Sequence, residues 1–295
     1  MSNPLMLSKR VMKNVKGREL SFVLYYTFVE CPICDILFSL YKRKIRKDVP
    51  SGVVKKVIQG SWMELNLNDG GLNTDLYIHG IRERKATKKM QEVITKGCVA
   101  VDIGANVGYY VLMEAQKAKK VYAIEPIKEN IDMIKKNLSL NPYDNVEVYT
   151  MAIGDKDGSE RIYLSNHSNL HSMTNKGGKY RTIEVQTLDT FLKDRLVPDI
   201  VRMDVEGYEY EILHGMSDTL QRMKKGSWIF LEVHGWHRER SKEVVRMIEE
   251  AGFELDSAFI EWERIDKYSP ITYRNKFPGI DHSRISKECF FRKVK

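Results

Sequence analysis

The stretch Ala100-Val-Asp-Ile-Gly-Ala-Asn-Val-Gly108 decides the fold. An apolar run that ends in an acid and then a glycine turn marks a buried strand passing into a helix. In an open α/β sheet that junction lies at the carboxyl end of the strand, where ligands bind. Gly104 permits the tight turn, and Gly108 lets the start of the helix approach a ligand or strand closely. The spacing is Gly-x-x-x-Gly, whereas a dinucleotide site uses Gly-x-Gly-x-x-Gly, whose middle glycine makes room for a pyrophosphate. Here Asn106 occupies the equivalent turn, followed after Gly108 by Tyr109.

A ligand without phosphate but with cationic centres suits an acid such as Asp102 better than a dinucleotide does. S-adenosylmethionine, which carries an ammonium and a sulfonium, is the expected cofactor. Glu125 lies 23 residues on, in Ala-Ile-Glu-Pro126, at the expected end of the second strand. A carboxylate there can accept both hydroxyls of a ribose. Asp155 follows the third strand in Ala-Ile-Gly-Asp, where a side chain can reach an adenine amino group or simply serve the turn before Gly158. The candidate cofactor residues are thus Asp102, Gly104, Asn106, Gly108, Tyr109, Glu125, Pro126 and Asp155, with Asp204 as a ninth.

Outward from this centre, short β-branched runs alternate with amphipathic stretches, the pattern of a doubly wound, mostly parallel sheet. Strands are expected at 98–103, 120–125, 145–152, 199–203 and 227–234, and helices at 107–118, 127–140, 207–223 and 240–251. The apolar runs 252–260 and 287–294 can pair as an antiparallel return at the sheet edge. Residues 155–187 read as an insertion with turns at Asp157-Gly158 and Gly177-Gly178. Three segments follow: a basic, partly helical extension (1–60), a lead-in (61–96) and the cofactor-binding domain (97–295). In the lead-in, Trp62–Leu67 alternates as a strand, and Asn68-Asp-Gly-Gly71 carries hairpin turn chemistry.

The chain has 295 residues, 42% hydrophobic and 30% charged, the balance of a folded globular protein. Its net charge of +8 is local: residues 1–60 hold 12 of the 48 Lys/Arg and 4 of the 40 Asp/Glu, so residues 61–295 balance. A basic arm can touch nucleic acid or an anionic membrane surface; a neutral body disfavours a nucleic-acid acceptor. Residues 20–41 are mostly apolar but contain Glu30, Pro32 and Asp35, which favours an amphipathic helix over a membrane span. Residues 1–50 are therefore the candidate for peripheral membrane contact. No signal-peptide cleavage pattern follows, and a cytoplasmic location is expected. Cys31, Cys34, Cys98 and Cys289 are too few and scattered for a disulfide framework.

The segment Asp199-Ile-Val-Arg-Met-Asp-Val-Glu-Gly-Tyr-Glu-Tyr-Glu-Ile-Leu213 resembles the FkbM family of methyltransferases, whose fourth strand ends in a similar Asp-x-Glu-Gly-x-Glu motif. Residues 101–108, Ser168-Asn-Leu-His-Ser172 and Leu231-Glu-Val-His234 resemble three further family motifs, and together the resemblance spans about residues 62–260. It implies a class I, Rossmann-like methyltransferase fold, S-adenosylmethionine as donor, and O-methylation of a hydroxyl on a small molecule, sugar or glycan.

Transfer to a hydroxyl needs a proton acceptor within hydrogen-bond reach of the attacking oxygen. Asp204, Glu206 and His234, expected at the ends of the fourth and fifth strands, are the candidate bases, and His171, in the loop after the third, can orient the acceptor or lid the pocket. Each has a second reading. Asp204 can hold the donor's ammonium, Glu206 can cap a helix beginning at Gly207, His234 can be a core histidine, and His171 an exposed loop residue. His234-Gly-Trp-His237 lacks the further ligands a metal needs, so no metal site is assigned. The competing functions are an RNA methyltransferase guided by the basic arm and a cofactor-binding protein without turnover.

Overall fold

Every residue of strand β3 (Val99–Ile103) is buried, and so is every residue of β9 (Ile200–Met203). Strands covered on both faces belong to the middle of a parallel sheet. The computed structural model describes residues 49–69, 71–164, 173, 179–233, 238–259 and 287–295. The chain divides into two compact units, residues 1–50 and 51–295. Apart from Val49 and Pro50, all described residues belong to the second. The apolar stretch 20–41, Cys31 and Cys34 lie outside them. No helix among the described residues is long and apolar enough to cross a membrane.

β3 leads through helix α3 (Tyr109–Ala115) to β4 (Lys120–Ile124), and helix α4 (Lys128–Ser139) leads on to β5 (Val146–Tyr149). After an insertion, helix α5 (Leu188–Phe191) precedes β9, and helices α6 (Glu209–His214) and α7 (Ser217–Arg222) connect it to β10 (Trp228–Val233). Helix α8 (Arg238–Glu250), β11 (Phe253–Phe259) and β12 (Lys287–Lys293) complete the order. The main sheet has seven strands in the order β11-β12-β10-β9-β3-β4-β5. β12 runs antiparallel to both neighbours, while the pairs from β10 to β5 are parallel. The expected Rossmann-like sheet is present. Its antiparallel return is inserted one strand in from the edge, because β12 pairs with β10 as well as with β11.

Order reverses at β3, whose outgoing connection turns toward β4 while β9 lies on its other side. That switch point puts the ends of β3, β4 and β9 around one crevice.

Three expected elements differ. The stretch 145–152 is two strands: β5 stays in the main sheet, whereas β6 (Ala152–Ile153) joins β8 (Tyr180–Gln186) and β7 (Gly158–Tyr163) in a separate three-stranded sheet. The helix expected at 207–223 is broken between α6 and α7. Gly215 caps the first of them, and a Cβ there would stand 1.9 Å from the Gly154 carbonyl oxygen. The hairpin of the lead-in, β1 (Val53–Ile58) with β2 (Ser61–Asn66), turns at Gln59-Gly60 and not at Asn68–Gly71. Gln59 and Gly60 have φ of 47° and 90°, the positive pair that a two-residue hairpin turn requires. Asn68 instead closes the open end of the hairpin by accepting from Gly52 N–H at 2.9 Å, and Gly71 opens helix α1 (Gly71–His79). Helix α2 (Arg84–Val93) follows. β1 thus starts inside the segment assigned to the basic extension.

Candidate active site

Gly104 ends β3 at φ +79°, and a Cβ there would lie 2.2 Å from the backbone oxygen of Asp204. Only glycine lets the first and fourth parallel strands close to this distance. The turn beyond it is anchored to β4, since Gly104 and Ala105 N–H both donate to the Ile124 carbonyl, at 2.9 and 3.2 Å.

A cavity of about 710 Å³, open solvent at its mouth included, lies at these strand ends. Gly104, Asn106, Glu125, Pro126, Asp204 and Glu206 all line it. Its apolar wall comes from Ile103, Ile124, Ile127, Met151, Ala152, Ile153 and Val205, and from Ile162 and Met173 of the insertion. Arg82, Asn130 and Tyr208 add polar groups.

Glu125 is 5% exposed. One carboxylate oxygen accepts from Asn106 N–H at 2.9 Å; the other accepts from Ile127 N–H at 2.9 Å and from the Asn130 amide at 3.2 Å. Burial pushes this carboxyl up to about 7, against the opposing pull of those three bonds. Asn106 stands at φ 50°, and its side-chain oxygen is buried without a hydrogen-bond partner. A buried orphan acceptor on a cavity wall is a place for a ligand donor.

On the opposite side, Arg202 donates to Asp102 and to Asp204, both at 2.9 Å. Its guanidinium lies 4.1 Å from the Tyr110 ring centroid and 5.5 Å from that of Phe230. Asp102 is fully buried on this arginine and does not line the cavity. The expectation that it faces a donor cation is corrected: its charge orients Arg202, which in turn holds Asp204. Burial pushes the Asp102 carboxyl up and Arg202 opposes that shift. Glu114, with neither oxygen hydrogen-bonded, is pushed well up by burial and then by Asp102.

Other expected contacts are relocated. Gly108 is a packing glycine; a Cβ there would stand 3.3 Å from Ile134 Cγ1 of α4. Tyr109 is buried and reaches Arg82 and Thr87 instead of the cavity. Asp155 is exposed and off the cavity wall. Glu206 is no helix cap. Helix α6 begins at Glu209, whose own carboxylate accepts from Gly207 N–H at 3.2 Å. Instead Glu206 sits at φ 51° on the cavity wall, a costly backbone geometry of the kind that functional sites retain. His171 and His234 lie outside the described residues.

Sequence reading missed Arg82, Asn130 and Tyr208. Tyr208 donates to Glu160 of β7 at 2.9 Å, tying the insertion to the end of β9. Asn130 carried a usable signal, since it lies one helical turn past the Glu125-Pro126 junction. Arg82 carried none, because nothing in residues 61–96 links it to the crevice before the chain folds.

An open sheet with this order, a glycine turn after its first parallel strand and a buried acid after its second, defines a Rossmann-like transferase architecture. The model of the methyltransferase FkbM domain matches residues 102–255. The chain belongs to this family and is an S-adenosylmethionine-dependent methyltransferase. It is 25% identical over 177 residues to the hexuronic acid methyltransferase AglP of Haloferax volcanii, covering 57% of this chain and 69% of that protein. Among solved structures it is similar to the FkbM methyltransferase of Methylobacillus flagellatus, with a TM-score of 0.42 and 15% identity over 66% of this chain and 43% of that one. It is also similar to an rRNA methylase of Streptococcus thermophilus, with a TM-score of 0.46 and 13% identity over 72% and 95%.

Proposed function

We propose that this protein binds S-adenosylmethionine in the crevice at the ends of β3, β4 and β9 and methylates a hydroxyl of a sugar-like acceptor. The observation that carries this reading is the division of the cavity. Buried Glu125 and the orphaned Asn106 oxygen wall one side, Asp204 and Glu206 the other. The first side suits a nucleoside: the Glu125 oxygen that accepts from Asn106 has a lone pair left for a ribose hydroxyl, and the isoleucines and methionines cover the base. The bound donor supplies an electrophilic methyl group on sulfur. The chain's own residues hold the acceptor in line with it and receive the hydroxyl proton.

Glu206 is the proton acceptor. It stands on the cavity wall at φ 51°, a strained backbone of the kind retained at functional sites. The likeness to a hexuronic acid methyltransferase supports a sugar as the acceptor.

The test is to incubate the purified protein with methyl-labelled donor and fractionated cell extract. Label is expected in a saccharide-containing fraction, and label in RNA would refute the acceptor assignment. In the same assay Glu206→Gln is expected to lower kcat by at least ~100-fold, in the range of a lost general base, with donor affinity unchanged. Full activity in Glu206→Gln would remove it from the role.

A further inference from the structure

The loop between α1 and α2 puts one residue into the cavity: Arg82, the only cation among the described residues that line it. Its backbone is clamped. Arg82 N–H donates to Tyr109 Oη at 3.3 Å, and Thr87 Oγ1 donates to the Arg82 carbonyl at 2.6 Å. Tyr109 Oη and Thr87 Oγ1 are 3.0 Å apart. Because the Thr87 proton is already committed, Tyr109 must donate to Thr87, and the three bonds close a ring around the backbone N–H and C=O of this one residue.

The side chain is gripped as well. Arg82 Nε pairs with Glu83, which also accepts from Tyr110 Oη at 2.8 Å, and Arg82 Nη2 lies 4.0 Å from Asp204. Glu83 is held at φ 44°, a strained backbone for a residue other than glycine. Burial alone would lower the Arg82 pKa, but Glu83 and Asp204 outweigh it and raise the value, so the guanidinium stays charged. A fixed, permanently charged fork with Nη1 bonded to no described residue is built to receive an anion.

We infer that Arg82 binds the carboxylate of the donor's amino-acid end, with Asp204 beside it taking the ammonium. The inference rests on the donor assignment above. Its ground is the pairing itself: a guanidinium and a carboxylate side by side match an α-amino acid, which carries both opposite charges on one carbon. A uronic acid has the carboxylate but no neighbouring ammonium, and would leave Asp204 facing it. Arg82 and Asp204 thus orient the donor from one end and Glu125 from the middle. Tyr109 and Thr87 are positioning residues that act through Arg82.

The experiment is a calorimetric titration of the full-length protein, without acceptor, using S-adenosylmethionine and its decarboxylated form. Wild type is expected to bind the decarboxylated donor ~10- to 100-fold more weakly, the worth of a charge-assisted bidentate contact. Arg82→Gln is expected to bind both forms equally and at the weaker level, and Arg82→Lys to recover part of the preference. Tyr109→Phe, which keeps the charge but opens the clamp, is expected to weaken S-adenosylmethionine binding while retaining a preference for it. Undiminished discrimination in Arg82→Gln overturns the inference. So does unchanged donor affinity combined with a raised acceptor KM, which would assign Arg82 to the acceptor. Wild-type protein that binds neither form would overturn the donor assignment itself.

Discussion

Glu125 carries the most charge-sensitive part of the site. Its carboxyl titrates at about 7 in place of the ordinary 4.5, chiefly through burial. The folded protein therefore binds this proton more tightly than the unfolded chain does. The resulting stability is complete below 4.5 and is lost as pH rises through about 7, by about 3 kcal/mol in all. Donor binding follows the opposite sign, since only the ionised form can accept a ribose hydroxyl while keeping its bonds from Asn106, Ile127 and Asn130. The donor-induced rise in Tm is thus expected to be larger at pH 8 than at pH 6, and Glu125→Gln should abolish that difference. An equal shift at both pH values would remove Glu125 from the donor site. At this scale the sequence was informative about position and less so about contact. Glu125, Gly104 and Asn106 lie where their spacing from strand ends puts them, because strand geometry is local. Asp102 and Tyr109 share that spacing but turn away, toward Arg202 and Arg82. Those partners come from distant segments that no local pattern connects to them.

At the scale of elements, β3 was legible because a fully buried run bounded by Gly97 and Gly104 is a strong signal, and the other parallel strands as short apolar, β-branched runs between amphipathic stretches. The lead-in hairpin was not, for its first strand, Val-Val-Lys-Lys-Val-Ile, lacks strict alternation and its turn is Gln-Gly. What secures it is side chains at α4 and the turn that follows. The Asn137 amide oxygen accepts from Glu64 N–H at 2.8 Å and its NH2 donates to the Val107 carbonyl at 3.0 Å, while Asn141 bonds both the N–H and the C=O of Trp62. Two asparagines thus occupy the free edge of β2, which would otherwise expose unpaired backbone groups. Asn137 is fully buried. Asn137→Ala would leave the Glu64 N–H and the Val107 carbonyl unpaired, and is expected to cost about 2–3 kcal/mol, read as a lower urea midpoint with unchanged slope. A loss below ~0.5 kcal/mol would mean that the hairpin is held by apolar packing alone. Tyr143 holds the same strand as well, since its Oη lies 2.8 Å from Ser61 Oγ.

For the whole molecule, charge distribution separates the acceptor classes. The described residues that line the cavity belong to the unit 51–295, and from residue 61 onward positive and negative side chains balance. An enzyme that held a nucleic acid through six or more phosphates would lose ~10³- to 10⁵-fold in affinity between 50 and 200 mM salt, as counterions reclaim the polyanion. Arg82, the one cation among the described residues of the cavity wall, is a single charge and cannot substitute for a basic groove. For a sugar-like acceptor seated in a neutral body, kcat/KM is expected to change by less than ~3-fold over the same salt range. The measurement is a salt titration of the full-length protein with its labelled fraction as acceptor, so that the 12 basic side chains of residues 1–60 remain able to contribute. A log–log slope near zero supports recognition by hydrogen bonds and shape at the crevice. A slope of about −5 or steeper would mean that the basic segment delivers a polyanion, and the acceptor would then be a nucleic acid despite the neutral body.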